Sequence, residues 1–223
     1  MSAYARARGR KPRMTYDEIV GQALDLIDKQ GLEALSMRRL GKQLGVDPMS
    51  IYHHIPNKSE LLDAVIDSVM AQVDITVDDP SAPWEERVRR LATAYRDALA
   101  AHPNLIPAIA AGRARMFGGL APAETLLSIF DAAGLPRSRW LIAMNAFSAW
   151  ILGATTMELT TGRGAARVIV DWAVSVSHDD YPHVATAVAT HHAEEPDAYF
   201  RYGVMTLIAG LAAIASGDEP NGK

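Results

Sequence analysis

Ser36 to Lys58 reads SMRRLGKQLGVDPMSIYHHIPNK, and this stretch decides the fold. Ser36 is a good N-cap for a helix that carries Leu40 and Leu44 on its apolar face. Gly45 stops that helix and opens a tight turn, Gly45-Val46-Asp47. Asp47 then caps a second short helix, with Pro48 in its first turn, where a missing N–H costs nothing. This helix should close at Pro56, because the residue before a proline is pushed out of the helical region. At about 100° per residue, Ile51 and Ile55 fall together while Met49, Tyr52 and His53 project away from them. Two short amphipathic helices meeting at a turn, the second with an aromatic and imidazoles on its spare face, follow the pattern of a helix-turn-helix that enters a DNA groove.

The candidate DNA contacts follow from that geometry. Pro48, Met49 and Ser50, at the start of the second helix, can touch bases or thymine methyl groups. Tyr52 suits a phosphate or a methyl contact, and His53 and His54 can each donate to a phosphate or a base. Arg38, opening the first helix of the pair, can reach a base edge or a phosphate. Lys58 adds a cation at the N-terminus of the next helix, where backbone N–H groups also favour phosphate. Taken singly, Tyr52 also fits ordinary core packing and the histidine pair fits a solvated surface. Their combination at this spacing is what is specific.

Outward from this stretch the pattern is helical almost throughout. A first helix runs from about Tyr16 to Gln30, with Ile19, Ala23, Leu26 and Ile27 on one face and Gly31 as its stop. Asn57 caps a fourth helix, with Glu60 three residues on as in a capping box, and the apolar pattern continues to about Val77. Asp78 to Pro83 is a breaker and the best domain boundary. Beyond it, helices are expected from Trp84 to near His102, in a short piece to Ala111, from Pro122 to Ala133, and from Trp140 to about Thr161. Three more are expected over Ala165–Val176, His183–His191 and Pro196–Ala215. The fold class is therefore all-α. An N-terminal three-helix helix-turn-helix domain is joined by a fourth helix to a larger helical ligand-binding and dimerisation domain. The expected divisions are a basic disordered tail at 1–14, a DNA-binding domain with its linker helix at 15–78, the larger domain at 83–216, and a frayed tail at 217–223.

Charge supports this division. The net charge of −4 looks wrong for a DNA binder until it is split. Residues 1–62 hold ten Lys/Arg against seven Asp/Glu, and the remainder holds twelve against nineteen. Arg6, Arg8, Arg10, Lys11 and Arg13 form a tail without an acid, suited to neutralising phosphate. No cysteine is present, which excludes disulfides and thiolate metal sites and suits a reducing cytoplasm. The N-terminus lacks the apolar core of a secretory signal. Trp140–Leu159 approaches the length and hydrophobicity of a membrane span, but Asn145, Ser148, Thr155, Thr156 and Glu158 interrupt it. It reads as the core helix of a protein with no membrane partner.

Two stripes of small residues suggest how the larger domain assembles. Ala146, Ala149, Gly153 and Thr156 form one, and Gly203, Thr206, Gly210 and Ala213 form the other. Glycine inside a helix costs about 1 kcal/mol against alanine, and close backbone approach can offset that loss. Tight packing within one subunit is one explanation. A two-fold homodimer interface is the preferred one, because a groove-reading helix also calls for a dimer on a palindromic operator. A pocket for a small-molecule effector should be lined by Tyr95, Phe117, Phe130, Met144, Phe147 and Trp150, with Asn145 to orient the ligand. Each of these residues also fits plain core packing.

Residues 15–62 resemble the DNA-binding domain of the tetracycline-repressor (TetR) family of bacterial regulators. The resemblance rests on Gly31-Leu32, LSMRRLGKQLGV and SIYHHIPNKSELL, with Ser50, Tyr52 and Lys58 where that family places its DNA contacts. APWEERVRRLATAYRDALAAHP and FRYGVMTLIAGLAA are similar to the tetracycline-repressor C-terminal class. The resemblance implies an all-helical homodimer that an unidentified effector releases from its operator by tilting the fourth helix and spreading the recognition helices. Family members that bind a metal–drug chelate use a histidine after the sixth helix. Leu105–Phe117 has none, so that recognition does not carry over. His178, Asp179, Asp180, His183, His191 and His192 match no tight ligand spacing, so neither a metal nor a cofactor is expected. No nucleophile elbow, phosphate-binding glycine loop or HExxH motif supports an enzyme. The alternative to an effector-released repressor is a DNA-binding dimer whose second domain only dimerises or meets a protein partner.

Overall fold

The computed structural model describes residues 14–113, 120–161, 179–190 and 197–217, and these are helical with no strand among them. The helices are α1 (Tyr16–Gln30), α2 (Met37–Leu44), α3 (Pro48–Tyr52), α4 (Lys58–Met70), α5 (Trp84–Ala101), α6 (Ile106–Ala108) and α7 (Leu120–Ala132). They continue with α8 (Trp140–Thr161), α9 (Pro182–Ala189) and α10 (Ala198–Ala215). The chain divides into two compact units, residues 1–65 and 66–223, so α4 starts in the first and ends in the second. That division falls ahead of the Asp78–Pro83 breaker. The basic tail at 1–13, the expected 165–176 helix and residues 218–223 lie outside the described residues, as do Phe117, His178, His191 and His192.

In the first unit α1 begins with a full capping box. Thr15 Oγ1 accepts from Glu18 N–H at 3.2 Å and Glu18 Oε2 accepts from Thr15 N–H at 2.8 Å. Ile19, Val20, Ala23, Leu26 and Ile27 are buried, and α2 packs on α1 through Leu40 and Met37. Leu44, expected in that core, is only half-buried, and Met37 takes the place at the other end of α2. α3 is shorter than expected. It stops at Tyr52, and His53 to Ile55 form a closing turn ahead of Pro56. At α4, Asn57 Oδ1 accepts from Glu60 N–H at 2.9 Å. Glu60 answers the Asn57 side-chain amide instead of its backbone, a variant of the expected box.

The helix α4 ends at Met70, seven residues before the expected Val77. Asp74 caps a separate 3-10 turn at Ile75–Val77, whose β-branched run is a poor continuation of a helix. In the second unit α5 is the central element, packing against α7, α8 and α10. Val88, Leu91, Ala92, Tyr95 and Leu99 of α5 meet a core supplied by Leu126, Ile129 and Phe130 of α7 and by Met144, Phe147 and Ile151 of α8. α7 starts at Leu120, two residues early, with Pro122 inside its first turn, where it is tolerated. α9 covers Pro182–Ala189 and not His183–His191. Two segments, 137–160 and 198–215, are long and apolar enough to cross a membrane by length and composition alone.

Candidate nucleic-acid interface and ligand site

The turn between α2 and α3 is built by two glycines. Gly45 sits at φ +68°, a left-handed conformation that side chains rarely adopt, and Val46 N–H donates to Gly41 O at 2.9 Å to close the helix end. At Gly41 a Cβ would lie 3.0 Å from Val46 O and 3.2 Å from Pro48 Cγ, so any larger residue would have to push the start of α3 a few tenths of an ångström away from α2. The sequence reading identified Gly45 and missed Gly41, whose need is one of space and leaves no local signal. Asp47 Oδ1 accepts from Met49 N–H at 2.8 Å, so α3 starts at a capped end.

With α3 fixed at that end, its faces separate cleanly. Ile51 and Ile55 are 0% and 2% exposed, anchoring the helix from behind. Met49 is 63% and Tyr52 41% exposed, and His53 and His54 are exposed as well. Pro48 and Ser50 are half-buried. Arg38 on α2 and Lys58 at the start of α4 are exposed. A concavity of about 1010 Å³ runs between α1, the end of α2 and α3. Ser50, His53 and His54 line it on one side and Met14, Glu18 and Gln22 on the other. Of the expected DNA contacts, three therefore share one groove. Arg38, Met49, Tyr52 and Lys58 stand exposed outside it.

The expected effector lining is distributed differently. Tyr95, Phe130, Met144 and Phe147 are fully buried, and the Tyr95 and Phe147 rings meet edge-on with centroids 5.8 Å apart. They fill the space between α5, α7 and α8. Burial pushes the Tyr95 hydroxyl well above the ordinary tyrosine range, so it is a neutral phenol. Asn145 is exposed, because one residue on from Met144 is a step of about 100° off the buried stripe of α8. Trp150 is half-buried against Phe200 of α10, with ring centroids 5.3 Å apart. Two polar atoms in α8 carry more information than the aromatics. The buried hydroxyls Ser148 Oγ and Thr155 Oγ1 have no hydrogen-bond partner among the described residues. An unsatisfied buried hydroxyl costs about 1–3 kcal/mol, so each calls for an explanation.

A concavity of about 1020 Å³ opens on the other side of α5, between Gln72–Val77 and α10. Phe200, Val204 and Met205 give it an apolar wall, and Arg89, Arg90 and Glu86 give it a charged one. Glu86 accepts from both arginines, at 3.0 and 2.9 Å, and Arg90 foremost holds its carboxyl below the usual range. None of the expected effector residues lines it. The α5 residues involved lie on the helix's polar face, which a search for aromatic core positions passes over.

The small-residue stripes also separate. Ala146, Ala149, Gly153, Thr206 and Gly210 are exposed or open. Thr156 and Ala213 are half-buried, and nothing lies within 4 Å of a Cβ built on Gly153 or Gly210. At Gly203 such a Cβ would overlap the Trp150 indole, so this glycine serves packing within one subunit. A trough of about 690 Å³ follows α8 and α10, lined by Ala146, Gly203, Thr206 and Gly210 together with Phe147 and Trp150. Among the described residues, no group of three or more His, Asp or Glu is placed to hold a metal.

One feature of the second unit was unforeseen. Arg87 is almost fully buried and grips Asp78 with two parallel bonds, Nε to Oδ1 at 2.7 Å and Nη2 to Oδ2 at 2.9 Å. The same Nη2 donates to Ser128 Oγ on α7 at 2.9 Å. Asp78 read as part of a breaker; it is also the far end of a buried ion pair.

Comparison with known proteins agrees with this geometry. Residues 19–65 match the family model "Bacterial regulatory proteins, tetR family", and residues 77–215 match "Tetracyclin repressor-like, C-terminal domain". A curated relative, an HTH-type transcriptional regulator of Saccharopolyspora erythraea, is 30% identical over 213 residues, covering 92% of this chain and 87% of its own. The crystal structure of apo ActR from Streptomyces coelicolor superposes with a TM-score of 0.80 at 28% identity, covering 94% of this chain and 100% of that one. ActR in complex with actinorhodin gives 0.77 at 29% identity, covering 91% and 98%.

Proposed function

Since the chain belongs to the tetracycline-repressor (TetR) family of transcriptional regulators, we propose that it is a homodimeric repressor that a small-molecule effector releases from a palindromic operator. The observation that carries this reading is the two-faced α3, with Ile51 and Ile55 sealed behind and Met49, Tyr52, His53 and His54 open in front. A recognition helix needs that separation, because the groove-facing side must be free while the other side is held. Arg38, Pro48, Met49, Ser50, Tyr52, His53, His54 and Lys58 form the DNA-contacting set. Phosphate contacts position the domain and the contacts of the first turn of α3 specify sequence. Two such helices must meet half-sites about 34 Å apart, so a small rotation of either one abolishes simultaneous docking.

The effector reading draws support from the unpartnered hydroxyls of Ser148 and Thr155 and from the actinorhodin-bound ActR neighbour. A ligand that reaches α8 would satisfy hydroxyls that have no hydrogen-bond partner among the described residues. The filled packing of Tyr95, Phe130, Met144 and Phe147 favours the alternative, a second domain that only dimerises or meets a protein partner. Dimerisation is assigned to the open face of α8 and α10, and action on DNA implies the cytoplasm.

A mobility-shift titration with the region upstream of the chain's own gene tests the reading. Expected is specific binding whose affinity falls steeply with salt, as phosphate contacts require. A small molecule that abolishes the shift supports the effector. Specific binding that no candidate compound relieves, with a second domain that co-purifies with a protein, supports the alternative. No specific binding at low salt overturns both.

A further inference from the structure

We propose that the concavity between Gln72–Val77, α5 and α10 is a binding site for an aromatic carboxylate. None of the residues assigned to DNA lines it, and neither do Ser148 and Thr155. Its charged wall has more donors than acceptors. Arg89 Nη1 and Arg90 Nε both donate to Glu86, at 3.0 and 2.9 Å, so one carboxylate serves two guanidinium groups. A guanidinium carries several N–H donors in a planar fork, and each of these uses a single one on Glu86. The other carboxylates of the lining are engaged elsewhere. Asp74 accepts from the N–H and the hydroxyl of Thr76, and Asp97 accepts from Arg96. A second carboxylate, brought by a ligand, would complete two pairs, and arginine is the residue that meets a carboxylate with two parallel bonds.

The rest of the lining suits a ring. Phe200, Val204 and Met205 of α10 offer apolar surface, and Thr93, Ala94 and Ala98 of α5 add little bulk. An arene gains from both walls, burying apolar area against α10 and stacking on guanidinium planes. Arg96 already makes that kind of contact with Phe200, its Cζ 4.5 Å from the ring centroid. At about 1020 Å³ the space matches the upper end of pockets for small organic ligands, about 300–1,000 Å³. Occupancy would be felt in two places. Gln72, Asp74 and Val77 belong to the segment that follows α4, and α4 leads back to the helix-turn-helix. Phe200 lies against Trp150, which lines the trough along α8 and α10 assigned to dimerisation. A ligand touching both the segment after α4 and Phe200 is placed to change operator affinity. That regulatory step rests on the repressor reading above; the binding itself does not.

The probe is 2-naphthoate, with 2-naphthamide as its uncharged counterpart, titrated calorimetrically into the full chain. The wild type should bind naphthoate saturably and the amide about 10-fold more weakly. A variant carrying Arg89→Gln and Arg90→Gln, both at the surface, should keep its melting temperature and bind naphthoate no better than the amide. Thr93→Trp, which fills the groove from the exposed face of α5, should abolish binding of both. No saturable binding of naphthoate at millimolar concentration overturns the site, and so does wild-type affinity in Thr93→Trp. Equal affinity of the wild type for acid and amide overturns the pairing with the arginines. Mobility shifts with the upstream DNA then separate binding from regulation. Saturating naphthoate should weaken the shift of the wild type and leave that of the arginine variant unchanged. Naphthoate that binds without altering a specific shift overturns the regulatory step. A chain that binds naphthoate and no DNA keeps the site and overturns the repressor reading.

Discussion

At the scale of single residues, α3 separates stability from recognition along five positions. Ile51 is fully enclosed, so Ile51→Ala should remove packing that nothing replaces and cost about 2–5 kcal/mol, read as a lower denaturation midpoint. Tyr52, one residue on, is 41% exposed. Tyr52→Ala should leave the midpoint within about 0.5 kcal/mol of the wild type, as surface substitutions do, while weakening specific DNA binding. If both variants lose stability alike, Tyr52 belongs to the core and the exposed face of α3 loses its assigned role. Gly41 makes a related point about space. Gly41→Ala must push Val46 O or the Pro48 ring aside, which would shift the start of α3 and so reduce DNA binding as well as stability.

At the scale of elements, the helix-turn-helix was legible because, Gly41 apart, the signals in it are local. Caps at Ser36 and Asp47, the stop at Gly45 and Pro48 at the first turn each act within four residues of their own position. The second unit was less legible because its contacts span long separations. Asp78 is nine residues from Arg87, and Ser128 lies forty-one beyond it, so no periodicity marks the trio. Similarly, hydrophobicity all round α8 concealed which side was core, and Asn145 fell on the outside. The trio yields its own prediction. Removing Arg87 leaves Asp78 as a poorly solvated charge, so Arg87→Ala should cost about 3–5 kcal/mol. Ser128→Ala removes one bond to a charged group and should cost about 1.5–3 kcal/mol, measured by chemical denaturation. Equal costs for the two would mean that the grip on Asp78 contributes nothing beyond the link to α7.

At the scale of the whole molecule, the apolar surface of the second unit calls for a partner. Leu141, Ile142 and Met157 on α8 and Tyr202 and Met205 on α10 are all more than half exposed, in helices apolar enough to pass for membrane spans. Apolar patches of that kind mark association surfaces, and the proposed two-fold operator supplies the reason for a second copy. The family's transcriptional role makes that second copy a more economical occupant than a lipid. Gly210 offers a clean way to decide. A Cβ there meets nothing within 4 Å, so a side chain can be added without disturbing the protomer's own packing. Helix propensity even favours the change, since glycine is the poorer helix former by up to about 1 kcal/mol. Gly210→Glu should therefore keep full helicity by circular dichroism. In a dimer, however, two carboxylates related by the two-fold axis would be buried at the interface, and unpaired buried charge is strongly unfavourable. Sedimentation equilibrium should show the wild type as a dimer and the variant as a monomer, and specific operator binding should vanish while weak, salt-sensitive binding persists. A Gly210→Glu protein that stays dimeric would move the interface off this face of α10, and with it the assignment of the small-residue stripes.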